Sequence, residues 1–166
     1  MLLFYHVKKY LIISLITVIL DGLISYFIGG YFNNLNYFYP MLTISFIPFI
    51  YLGLKKKSYI FIIITGIIYD LLYSSIFLYN VILFFILINI DMKISECFKD
   101  SLLLFLLLSL FNIIFYDVIG FIITIIVNYQ SITIYDLIYK INHSIILNIM
   151  SVFVFWFLCK NDKSHA

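Results

Sequence analysis

Arginine is absent from this chain of 166 residues, alanine occurs only at Ala166, and charged residues make up 11% against 65% hydrophobic ones. So few charges leave too little polar surface to cover a water-facing globule of this size, whereas a bilayer asks for no such cover. The missing arginines also remove the clusters that grip nucleic-acid phosphates and anionic headgroups, so no nucleic-acid partner is expected. Cys97 and Cys159 have no CxxC partner, which excludes a disulfide scaffold. His6, His143 and His165 have no second ligand at helical spacing, and no serine sits in a GxSxG elbow. Phosphate-cradling GxxxxGK[ST] and GxGxxG loops are missing too. The expectation is a protein with no catalytic residues, no metal and no cofactor.

What the chain does contain is long apolar runs. They divide into six expected spans, Tyr10–Ile28, Tyr37–Leu54, Ser58–Leu72, Phe77–Ile90, Leu102–Val127 and Ile141–Leu158, which make one membrane domain over 1–166. The apolar stretch Ser58–Ile90 is too long for a single crossing at about 1.5 Å per residue, and Tyr73-Ser74-Ser75 is the expected bend. Leu11–Ile28 exceeds the apolar core of a signal peptide and no small-residue cleavage site follows, so the first span is expected to remain attached. The abundance of Ile, Asn, Lys, Phe and Tyr without arginine points to AT-rich codon usage rather than to an aromatic stacking surface.

Six spans place Lys8, Lys9, Lys55, Lys56, Lys57, Lys93, Lys99, Lys160 and Lys163 on one face and only Lys140 on the other. Positively charged loops are retained in the cytoplasm, so both termini are expected there. Asp21, Asp70 and Asp117 then fall in spans one, three and five, just past mid-depth, with no lysine in the same run. An ionisable group at that depth costs roughly 2.5–3.5 kcal/mol, so each must face a protein interior or a wet cavity. Either the three converge on one polar pocket, with Thr17, Thr65, Asn112 and Tyr116 as partners, or each is separately protonated and serves as interhelical glue.

Gly22, Ser25 and Gly29 form a small-residue face on the first span, suited to close approach of a partner helix or of another span. Pro48 removes a backbone hydrogen bond within the second span and is expected to kink or locally open that helix. Ser131–Lys140 alternates apolar and polar residues as a short interfacial helix would, or forms a plain loop.

Phe38-Tyr39-Pro40 entering an apolar span, then Gly66-Ile67-Ile68-Tyr69-Asp70-Leu71-Leu72 running into a turn, resembles the MreD family of bacterial rod-shape-determining membrane proteins. That family carries a glycine, three apolar residues, an aspartate and two apolar residues in its third span, followed by a glycine-bearing turn. Pro40, Gly66 and Asp70 match it here, whereas Ser74 and Leu78 stand near the expected glycines. The resemblance covers about Phe38–Ile90; elsewhere only hydropathy agrees. It implies an all-α fold of six transmembrane helices like the substrate-binding subunits of energy-coupling-factor transporters. The implied role is a non-enzymatic part of the cell-elongation complex of the bacterial cytoplasmic membrane, binding MreC and through it MreB filaments and cell-wall synthases. The competing class is a small-molecule binding subunit of a vitamin importer, against which the lack of an Ala-xxx-Ala face on the first span argues. A cation-coupled carrier would show internal repeats, and none is visible.

Reporters fused after Lys57 and after Lys99 are expected to read cytoplasmic, and one within Asn33–Asn36 external. An external reading at Lys57 overturns the six-span arrangement.

Overall fold

The computed structural model describes residues 2–31, 44–51, 55–74, 76–97, 101–126 and 133–164, and every element among them is helical. These are α1 (Leu2–Tyr31), α2 (Ile47–Tyr51), α3 (Lys55–Tyr73), α4 (Tyr79–Cys97), α5 (Leu102–Ile126) and α6 (Ile134–Ser164). Most of the expected second span, with Pro40, lies outside the described residues. α5, with a mean hydropathy of 2.4, is long and apolar enough to cross a membrane; Tyr59–Tyr73 and Asn148–Lys160 are shorter apolar stretches.

α3 and α4 form one antiparallel hairpin and α5 and α6 another, while α1 packs on α3. The short α2 touches all five other helices, and Ile44, Phe46, Ile47 and Phe49 around it are fully buried. Rings pack tightly there: Phe49 against Phe61 at 4.6 Å, Phe46 against Phe84 and Tyr51 against Phe105 both at 5.2 Å. The helix opens locally beside Pro48, as its missing N–H leads one to expect: Ile44 and Ser45 are helical, Phe46 is a turn, and helix resumes at Ile47. Pro48 thus enters the first turn of α2, where an N–H would lack an intrahelical acceptor in any case.

The stretch Ser58–Ile90 parts at Ser74–Leu78. Ser74 Oγ accepts the Ile76 N–H at 3.1 Å and donates to the Ile76 carbonyl at 2.9 Å, a local bonding pattern that competes with continued helix. Leu78 closes the turn in the left-handed region, at φ 64°. α4 then runs seven residues past the expected end at Ile90, taking in Asp91. α6 begins at Ile134, so Ile134 to Lys140 form its opening turns rather than a loop or a separate interfacial helix, while Ser131 and Ile132 lie outside the described residues. A side-chain cap marks this start: Asp136 Oδ2 accepts the Thr133 N–H at 2.8 Å and hydroxyl at 2.7 Å, and these bonds hold the carboxyl below the usual carboxylate range.

Polarity is inverted relative to a water-soluble bundle. Along α1, Tyr10, Ser14, Thr17, Val18 and Asp21 recur at helical spacing on the buried face, whereas Ile12, Ile16, Ile19 and Leu23 are exposed. On α5, Ser109, Asn112 and Asp117 are buried while Leu103, Ile114, Ile122 and Ile126 face outward.

The left-handed turn yields a stability test. A leucine at positive φ costs about 1–2 kcal/mol, and Leu78 is 40% exposed, so little packing is lost on truncation. After glycine's own entropic cost, Leu78→Gly is expected to raise stability by up to about 1 kcal/mol, while β-branched Leu78→Val lowers it. Thermal melting of the purified variants gives the order, and a Val variant melting above the Gly one would contradict it.

Candidate functional site

The α3–α4 hairpin is built by two residues four apart. At Gly66 a Cβ would sit 2.9 Å from Val81 Cα, too close for any real side chain, so glycine permits the backbones of α3 and α4 to meet. One turn later, Asp70 Oδ1 accepts the Asn80 backbone N–H at 2.9 Å and the Asn80 side-chain amide at 2.7 Å. The first N–H groups of a helix have no intrahelical acceptor. Here the cap reaches α4 from ten residues earlier, across the hairpin, with a carboxylate at the positive end of the helix dipole.

Asn80 carries the connection onward, since its Oδ1 accepts the Tyr116 hydroxyl of α5 at 2.7 Å. On the other side Tyr69 Oη donates to Asp21 Oδ2 of α1 at 3.3 Å, and Tyr73 Oη donates to the Val18 carbonyl at 2.9 Å. The three sequence-selected acids are thereby tied to one level. Asp21 is reached by the residue before Asp70, and Asp70 is reached through Asn80 by the residue before Asp117.

Asp117 is not left alone in its apolar run. The Lys140 ammonium of α6 lies 3.0 Å from Asp117 Oδ1, an ion pair with one end fully buried and the other 31% exposed. The counter-charge comes from a neighbouring helix, which a search along α5 does not see. Asp117 and Lys140 flank the α5–α6 connection from either side, so antiparallel pairing of these two helices brings them toward one level. Asp117 Oδ2 is buried without a hydrogen-bond partner, and so is Tyr79 Oη. Both residues border a cavity of about 330 Å³ at this end of the bundle, walled also by Asn80, Tyr116, Gly120, Thr124 and Lys140.

Other expected partners are placed differently. Thr17 and Thr65 donate to carbonyls of their own helices, at Ser14 and Phe61, and do not reach an acid. Asn112 pairs with Asp91 instead, its amide donating to Asp91 Oδ2 at 2.8 Å. Sequence reading assigned Asp91 to a charged connection; it is fully buried. Asn80, Phe84, Leu87, Ile88 and Asp91 follow one helical face, a periodicity that could have found it. Gly22 also departs from the partner-face reading: a Cβ there would overlap the Tyr73 ring, so its lack of a side chain is used inside the bundle. What Ser25 and Gly29 face lies outside the described residues.

The polar groups at this level are carboxylate, amide, phenol, the Ser74 and Thr124 hydroxyls and one ammonium, and no nucleophile–base pair is assembled among the described residues. No family model matches the chain, and no curated protein or solved structure shows significant similarity to it.

Because Asp70 acts here through one acceptor oxygen, Asp70→Asn is expected to keep the cap and the level of folded protein. Asp70→Leu strands the Asn80 donors and should cost about 1–3 kcal/mol. Melting temperature and accumulation in the membrane read both, and an Asn variant as damaged as the Leu variant would show that the negative charge itself is required.

Proposed function

We propose that this chain is a six-span, multi-pass protein of the bacterial cytoplasmic membrane, with both termini cytoplasmic, that serves the cell-elongation complex as an MreD-type adaptor. Its output is binding: it engages an MreC-like bitopic protein and, through it, MreB filaments and cell-wall synthases, and it turns over no substrate.

The observation that carries this reading is the α3–α4 hairpin. Gly66 and Asp70, the positions on which the resemblance rests, both act at this joint, the first by close backbone approach and the second by capping α4. The turn that follows puts Leu78 in a conformation that favours glycine, and glycine is what the family carries in that turn. The membrane setting is supported by the many exposed apolar side chains of α1, α3, α4, α5 and α6 and by Asp21, Asp70 and Asp117 facing inward from apolar runs. α1, at 30 residues, extends about 45 Å against a hydrocarbon core of about 30 Å, and its surplus turns carry Lys8 and Lys9.

A second reading, the binding subunit of an energy-coupling-factor importer, is favoured by the cavity beside Asp117 and Lys140. Affinity purification of the tagged chain from its native membrane separates the two. Recovery of a bitopic MreC-like protein is expected; recovery of a paired ATPase module with its membrane coupling subunit would overturn the adaptor reading.

A further inference from the structure

The polar cavity has an apolar neighbour. Between α4 and α5 runs a groove, also about 330 Å³, lined by Phe77, Ile82, Ile86, Phe115 and Ile119 and open to the outside, with Phe77 64% and Ile82 60% exposed. The two spaces share Ile76, Tyr79 and Ile123 as a common wall. The hairpin pairs α3–α4 and α5–α6 pack more closely than α4 does on α5, which leaves this seam open.

Three features of the polar chamber point to a ligand. Asp117 Oδ2 is an acceptor buried without a partner, although its sister oxygen faces Lys140. Tyr79 Oη is a buried donor without a partner on the wall between chamber and groove. Gly120 leaves open space: a Cβ there would meet only that hydroxyl, at 3.5 Å. Buried polar atoms without partners are uncommon; Asp70 Oδ2 and Asp91 Oδ1 share that state, and Asp117 and Tyr79 differ from them in lining a cavity that can admit a partner. The chamber's charge is balanced within one ion pair, so it suits an occupant that is itself a zwitterion, with an anionic part for Lys140 and Tyr79 and an N–H donor for Asp117.

We propose that chamber and groove together form one site for a zwitterionic phospholipid bearing a primary ammonium, of the phosphatidylethanolamine type. The phosphate takes donors from Lys140 and the Tyr79 hydroxyl, the ammonium donates to Asp117 Oδ2, and one acyl chain lies along the groove. A free solute would fill the chamber and leave the groove bare, whereas an amphiphile fills both. The proposal rests on the chain's lying in a bilayer and not on which complex it joins, so a failed partner purification leaves it intact.

The test uses the full chain, purified in detergent and stripped of lipid. Thermal melting is followed while dioleoyl-phosphatidylethanolamine, -phosphatidylcholine, -phosphatidylglycerol or soluble glycerophosphoethanolamine is added. A ligand that binds only the folded state raises the melting temperature saturably. Phosphatidylethanolamine is expected to do so with an apparent affinity at least about tenfold above phosphatidylcholine, which has no N–H, and phosphatidylglycerol, which has no ammonium. Glycerophosphoethanolamine alone should have little effect. Gly120→Leu, which fills the chamber from its open side, should abolish the shift. Equal stabilisation by the three lipids, full stabilisation by the soluble headgroup, or no shift at all would each overturn the proposal. Should Gly120→Leu fail to accumulate, the lipid series on the unaltered protein decides alone.

Discussion

The hydrogen bonds between Asp70 and Asn80 set the geometry on which the rest of the bundle relies. Where the backbone leaves α3 and starts α4, the continuous series of intrahelical bonds is broken, and the new helix opens with donors that no preceding turn can satisfy. In a low-dielectric surrounding such a donor costs more to leave unpaired than it would in water. The carboxylate answers both the backbone N–H and the side-chain amide of Asn80, and that fixes where the amide oxygen points. The Tyr116 hydroxyl meets that oxygen, so the angle of one hairpin is transmitted to α5 and to the neighbouring Asp117. Gly66 makes this possible, because a side chain there would hold Val81 and the start of α4 away.

Polar residues inside the bundle divide into two kinds by reach. Hydroxyls on short side chains, at Ser14, Thr17, Thr65 and Ser109, turn back to carbonyls three or four residues earlier and stay within their own helices. Longer or forked groups cross between helices, as Tyr59 does to Asn89 at 2.8 Å and Asn112 does to Asp91. Only the second kind specifies which helices are neighbours. Where exterior and interior helix surfaces are equally apolar, burial of methyl groups discriminates poorly between alternative packings, and directional bonds of about 0.6–2 kcal/mol each carry more of the choice.

Helical class, the break after Tyr73 and the inward facing of Asp21, Asp70 and Asp117 were legible because each depends on local composition or on a single residue's cost of exposure. What escaped reading depends on a second helix. Lys140 looked like a surface charge, but α6 begins at Ile134 with the Asp136 carboxylate capping Thr133, and this earlier start brings Lys140 level with Asp117. Asp91 sits among Lys93, Glu96 and Lys99, and that company disguised a residue whose helical face is continuous with Asn80. Gly22 carried the pattern of a partner-binding stripe, but small residues mark close approach without saying whose, and here the close neighbour is Tyr73 of the same chain. Pro48 belongs with the legible features, because its missing N–H is a local property and the helix is interrupted at Phe46, just before it.

The acids also differ in what would be lost by replacing them. Asp70 Oδ1 is answered by neutral donors belonging to the fold itself, so an amide of the same shape can serve there, although Asp70 Oδ2 is buried without a hydrogen-bond partner. Asp117 is answered by an ammonium that must be brought from the bundle's edge, where Lys140 keeps part of its side chain exposed. A buried ion pair of this kind repays its desolvation only when the remaining lone pairs are also met, and apolar replacement of both partners is often neutral or stabilising. Stability alone therefore gives little reason to hold a carboxylate here with one oxygen unmet. The pair makes sense at a place where something polar arrives from outside the chain, and the cavity Asp117 shares with Tyr79 and Asn80 opens onto it.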